Sequence, residues 1–117
     1  MSAGDWKDMI YGIRRSDIDL VRYHIYEGVN LNYEHPEYMT TPLMEGVVLG
    51  NYNIVELLLQ SGADPTIRTG WDDKSPLDVA IASKNEKIIA LIKKYHPHQR
   101  SWLAKIVNVI LRRGPIR

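Results

Sequence analysis

The chain has 117 residues, 44% hydrophobic and 25% charged, which is the composition of one soluble globular domain. It contains no cysteine, so disulfides, thiolate chemistry and zinc fingers are excluded together and a reducing compartment is compatible; the default expectation is a cytoplasmic protein. The formal net charge of +1 hides a division: six Lys/Arg against thirteen Asp/Glu before Lys84, then nine against one, predicting an acidic body with a basic C-terminal end.

The first residues, Met1 to Asp8, lack a basic start and an apolar core, so they do not read as a secretory signal. No apolar run approaches the roughly 20 residues that a membrane span needs. Helices are predicted near Trp6–Arg14 and Ile18–Glu27, the second capped by Asp17. Arg14, Arg15, Asp19 and Arg22 give this terminal pair a polar outer face, and His24 reads as a packed histidine rather than a ligand. From Val29 to Thr40 the chain is polar and contains Pro36, which predicts a loop or hairpin.

From Thr41 to Asp64 the sequence spells a complete helix-turn-helix. Thr41 can cap the first helix, and Pro42 suits its first turn, where no intrahelical partner for an N–H exists. Gly50 stops that helix and Asn51 caps the next, which carries Ile54, Val55, Leu57, Leu58 and Leu59 until Gly62. A second polar connection, Pro65 to Ser75, places Trp71 in a turn. A ring left in water forfeits burial, so Trp71 has either an internal pocket or a partner. Asp72 and Asp73, with no third ligand nearby, read as solvated carboxylates and not as a metal site.

Ser75 and Asp78 form a capping-box arrangement at the start of a third helical pair. After Tyr95, residues 96–100 read as a linker, and His96 and His98 flanking Pro97 belong to it rather than to a metal. Ser101 then caps a basic amphipathic helix over 101–113, stopped by Gly114 and Pro115. Two roles are open for it: a lid over Ile81, Ile88 and Ile92, or an element seeking an anionic membrane surface or a partner's groove. About 13 residues rise only about 20 Å, too little to cross a bilayer.

The three helical pairs are copies at an offset of 34 residues. Thr41, Pro42 and Leu43 recur as Ser75, Pro76 and Leu77; Gly12, Gly46 and Ala80 correspond, as do Asp17, Asn51 and Asn85. Such greasy short helices hide their faces only by stacking, and three copies is about the minimum for a stable stack. The Thr-Pro-Leu opening, the Gly-Asn break, the Ile-Val-Glu-Leu-Leu-Leu run and the Ser-Gly-Ala-Asp ending resemble the ankyrin repeat. Met44 and Asp78 depart from the usual His, Lys84 from the usual Gly, and Lys7 with Asp8 from the usual Thr-Pro.

The resemblance implies an all-α solenoid of three helix-turn-helix units with a C-terminal capping helix. Its repeats would run over about 5–37, 38–71 and 72–95, forming one domain from 1 to 95. It also implies a non-enzymatic module that binds another folded protein through hairpin tips and the concave surface of the first helices. The family's variable positions fall here on Glu37, Tyr38, Thr40, Trp71, Asp72 and Lys74 at the tips. In the groove they fall on Arg14, Arg15, Val48, Leu49 and Ser83.

Tyr38 either contacts a partner or packs on its own loop; Val48 and Leu49 are either an apolar hot spot or covered by neighbouring repeats. The sequence offers no phosphate loop, nucleophile elbow or metalloprotease motif, so neither catalysis nor a cofactor is expected. A narrower reading is a bacterial immunity protein that blocks a cognate, basic toxin; attachment through the C-terminal helix is another. A monomer is expected, and the acidic body argues against nucleic acid.

Overall fold

The computed structural model describes residues 3–95, and the linker read at 96–100 and the helix read at 101–113 lie outside the described residues. Six helices follow one another: α1 (Ala3–Arg14), α2 (Ile18–Tyr26), α3 (Pro42–Leu49), α4 (Tyr52–Gln60), α5 (Pro76–Ala82) and α6 (Glu86–Tyr95). They pair as α1 with α2, α3 with α4 and α5 with α6. The first helices then stack on one another in the order α1, α3, α5, and the second helices in the order α2, α4, α6. The array is therefore a short solenoid, as the 34-residue offset predicts.

Each start is fixed by local chemistry. Asp17, Asn51 and Asn85 occupy one repeat position, and each side-chain oxygen accepts a backbone N–H three residues on, from Leu20, Ile54 and Ile88. Thr41 does the same for Met44, and Ser75 with Asp78 closes a reciprocal capping box. α1 begins earlier than expected, at Ala3, without a Thr-Pro opening.

The stops are equally regular. Ser16, Gly50 and Lys84 all take positive φ, at 57°, 71° and 56°, and reverse the chain between paired helices. Around each, the next amide bonds a carbonyl one turn back: Asp17 to Gly12, Asn51 to Gly46 and Asn85 to Ala80, at 2.8, 3.1 and 3.2 Å. The turn geometry thus repeats where the residue type does not.

Burial explains why the pairs need each other. In α4, Ile54, Val55 and Leu58 are completely buried, each contributing about 1.5–3 kcal/mol relative to exposure. Gly46 lets this helix approach α3, since a Cβ there would meet the Val55 side chain at 3.1 Å. Ile13 and Val47 are buried at one repeat position, while their counterpart Ile81 on the last first-helix is exposed. Ile88 and Ile92, grouped with it in the sequence reading, are buried.

The loops are tied across repeats. Asn32 accepts from the Asp64 N–H at 2.8 Å and donates to the Gly62 carbonyl at 3.4 Å. The first loop is consequently held to the start of the second.

Candidate functional site

Two exposed regions collect the candidate residues. The first is the C-terminal edge of the first helices. Arg14 and Arg15 lie at the end of α1, Val48 and Leu49 at the end of α3, and Ser83 caps α5. Val48 and Leu49 are 59% and 47% exposed, so neighbouring repeats do not cover them. They form an apolar pair in the centre of the array.

The two arginines beside this pair are already oriented. Arg14 donates through Nε to Glu45 Oε1 at 2.7 Å, linking α1 to α3, and its guanidinium lies 5.6 Å from the Tyr38 ring centre. Arg15 donates to the Tyr11 hydroxyl at 2.8 Å and lies 5.0 Å from that ring's centre. Arg14 stays half-exposed in its pair with Glu45, so solvent screens the attraction and its value here is geometric. Glu45 and Tyr11 join the surface without having been singled out in the sequence. Their signal was their position: both fall at the repeat position of Val79, one turn before the groove residues.

The second region is the tips, where Glu37 and Trp71 occupy the same repeat position. The first tip folds back on the stack. Tyr38 is half-buried, with its ring edge-on to Trp6 at 5.4 Å and to His35 at 5.1 Å, so it packs on its own loop and on α1. Lys7 approaches the same ring at 5.7 Å. Glu37 stays exposed while its N–H donates to His35 Nδ1 at 3.1 Å, which requires that nitrogen to be unprotonated. Thr40 corrects an expectation: next to the α3 cap residue it is buried, its hydroxyl donating to the Thr41 carbonyl, so it does not stand on the exposed tip.

The second tip projects. Trp71 is 92% exposed and no internal pocket receives it. Asp72 and Lys74 are exposed and pair at 3.7 Å. At the base, Asp78 is held below the ordinary aspartate range, first by the Ser75 N–H, then by the Ser75 hydroxyl, with Arg68 and Lys74 adding to this. Glu34 also belongs to this tip, although it comes from the first loop: its carboxylate accepts from the Gly70 N–H at 3.4 Å. Only the folded stack brings those two together.

Among the described residues, no three acidic or histidine side chains converge as metal ligands would. An open depression between α4 and α6, beside Tyr52, Lys87 and Ala90, presents one charged group and no acid–base pair among the described residues. No helix of the described residues is long and apolar enough to cross a membrane.

The family model for ankyrin repeats, in three copies, matches residues 9–101. This chain belongs to the ankyrin repeat family. Among curated proteins the array is 40% identical to the human 2-5A-dependent ribonuclease over 60 residues, which are 51% of this chain and 8% of that protein. It is 34% identical to palmitoyltransferase ZDHHC13 from Homo sapiens and from Pongo abelii over 83 residues. Those residues are 65% of this chain and 13% of each relative. The chain thus spans about a tenth of the length of these relatives. Ankyrin repeats generally serve as protein–protein interaction modules, and such domains are typically non-catalytic.

Proposed function

We propose that this array is a non-enzymatic recognition module that grips a folded partner with its second hairpin tip and the groove edge of its first helices. The observation that carries this reading is the exposure of Trp71, Val48 and Leu49 on a backbone that the stack already holds. Apolar groups of this size left in solvent mark contact surfaces when polar side chains rim them, and here Arg14, Arg15, Glu37, Asp72, Lys74 and Ser83 do so. Because stacking fixes these groups beforehand, little conformational entropy is lost on binding. An inhibitor of the immunity type would use the same surface, with the target's active site inside the footprint.

The test is quantitative affinity capture with the whole chain. Val48→Asp with Leu49→Asp, and separately Trp71→Ala, should each reduce recovery of the same prey. Tyr26→Ala, on the outer face of α2 and equally exposed, should not. Loss of the prey in the Tyr26 variant with retention in the others would place the surface on the opposite side and overturn the proposal.

A further inference from the structure

We infer that the second tip takes an arginine or lysine side chain from a basic surface of the folded partner, seated on the Trp71 indole and met by the carboxylates of Asp72 and Glu34. The inference rests on the protein-binding reading above and names the chemistry that this part of the surface selects. Its first support is that the ring is held out by a closed backbone. Thr69 and Lys74 exchange two backbone hydrogen bonds at 2.9 and 3.1 Å. Gly70 and Asp73 take φ of 82° and 50°, the left-handed conformations that so tight a reversal demands. Arg68 clamps the base, donating to the Asp73 carbonyl at 3.0 Å and approaching its carboxylate at 3.2 Å. The loop is ordered by these bonds, yet it offers Trp71 no cover.

The second support is the charge around the ring. Glu34 reaches the tip through the Gly70 N–H, and Asp72 and Asp73 follow Trp71 in the chain. The cations nearby are engaged: Arg68 by Asp73 and, at 3.8 Å, by Asp78, and Lys74 by Asp72. Four carboxylates therefore outnumber two cations, and Glu37 adds a fifth at the equivalent point of the neighbouring tip. The face of an indole attracts a cation through the ring quadrupole, more strongly than any other aromatic side chain. An acidic partner would be repelled here, and a purely apolar one would have to strip water from exposed carboxylates. A guanidinium or ammonium satisfies ring and acids at once.

The test follows the indole N–H signals of the full chain by NMR while peptides are added. The signal missing from Trp71→Ala identifies Trp71; the Trp6 signal, from a buried indole bonded to Tyr33, is the internal control. Oligo-arginine should move the Trp71 signal saturably and leave Trp6 in place. Asp72→Lys should weaken that binding roughly tenfold at low salt, and about 0.15 M salt should weaken it several-fold. A stationary Trp71 signal, an equal response to oligo-glutamate or to a neutral leucine–serine peptide, or indifference to Asp72→Lys would each overturn the inference. If oligo-arginine fails while Val48→Asp with Leu49→Asp still abolishes prey capture, the binding reading stands and only this inference falls. If neither groove nor tip variants alter capture, the reading itself falls.

Discussion

The indole N–H of Trp6 donates to the Tyr33 carbonyl at 3.1 Å, fastening α1 to a loop 27 residues later. The same fully buried ring meets Tyr33 edge-on at 6.0 Å, His35 at 5.4 Å and Tyr38 edge-on at 5.4 Å. This aromatic cluster anchors the N-terminal repeat, which opens without a Thr-Pro turn. Trp6→Ala should cost about 3–5 kcal/mol, read as a lowered urea midpoint, because it removes both a large core side chain and a hydrogen bond. Trp6→Phe should cost less. Equal midpoints for wild type and Trp6→Ala would show that the cluster does not hold the repeat.

A second prediction concerns the three equivalent turns at Ser16, Gly50 and Lys84. All are left-handed, and only one is glycine. A side chain in that conformation costs about 1–2 kcal/mol, partly offset by the greater unfolded freedom of glycine. Lys84→Gly should therefore stabilise by about 0.5–1 kcal/mol, and Gly50→Ala should destabilise by a similar amount. A lower thermal midpoint for Lys84→Gly would contradict this.

His24 gives a third. It is buried, its Nε2 lies 2.7 Å from Asp8 Oδ2, and its Nδ1 has no hydrogen-bond partner among the described residues. An unmatched buried polar atom costs about 1–3 kcal/mol, and leucine occupies the same position in the second repeat, at Leu58. His24→Leu should leave stability unchanged or raise it by about 1 kcal/mol, whereas Asp8→Ala should lower it. Should His24→Leu unfold the chain, the Asp8 bond matters more than the orphan nitrogen.

The Asp78 carboxyl supplies a pH prediction. Its pKa is lowered on folding from the ordinary 3.8, first by the Ser75 N–H. A depressed carboxylate contributes stability above its unfolded pKa, and that contribution fades as pH falls through the folded value. Stability should thus decline below about pH 3.8, and Asp78→Asn should flatten that part of the curve. The same slope in Asp78→Asn as in wild type would assign the acid sensitivity elsewhere.

What was legible in the sequence was whatever depends on residues close in the chain. Thr41, Asn51, Ser75 and Asp17 announced their helices because capping is a matter of one side-chain oxygen and an amide three residues away. The stack followed because the apolar run of α4 returns at a fixed offset. The left-handed turns at Ser16 and Lys84 were hidden, since neither residue type demands positive φ; their alignment with Gly50 was the only clue. Tyr38 and Thr40 were placed with the tip residues by position, but the Trp6 cluster draws one inward and the other is buried beside the α3 cap. Glu34 was missed because its partner, Gly70, comes within reach only after two loops are brought side by side.

The proposed partner would meet the groove edge and the second tip. Hydrogen–deuterium exchange of the full chain, alone and with its captured partner, tests this most directly. Slowed exchange should be confined to the C-terminal ends of α1, α3 and α5 and to residues 64–75, with α2, α4 and α6 unchanged. Protection centred on Tyr23, Tyr26 and Tyr52 of the outer helices, with the tips exchanging as freely as before, would contradict it.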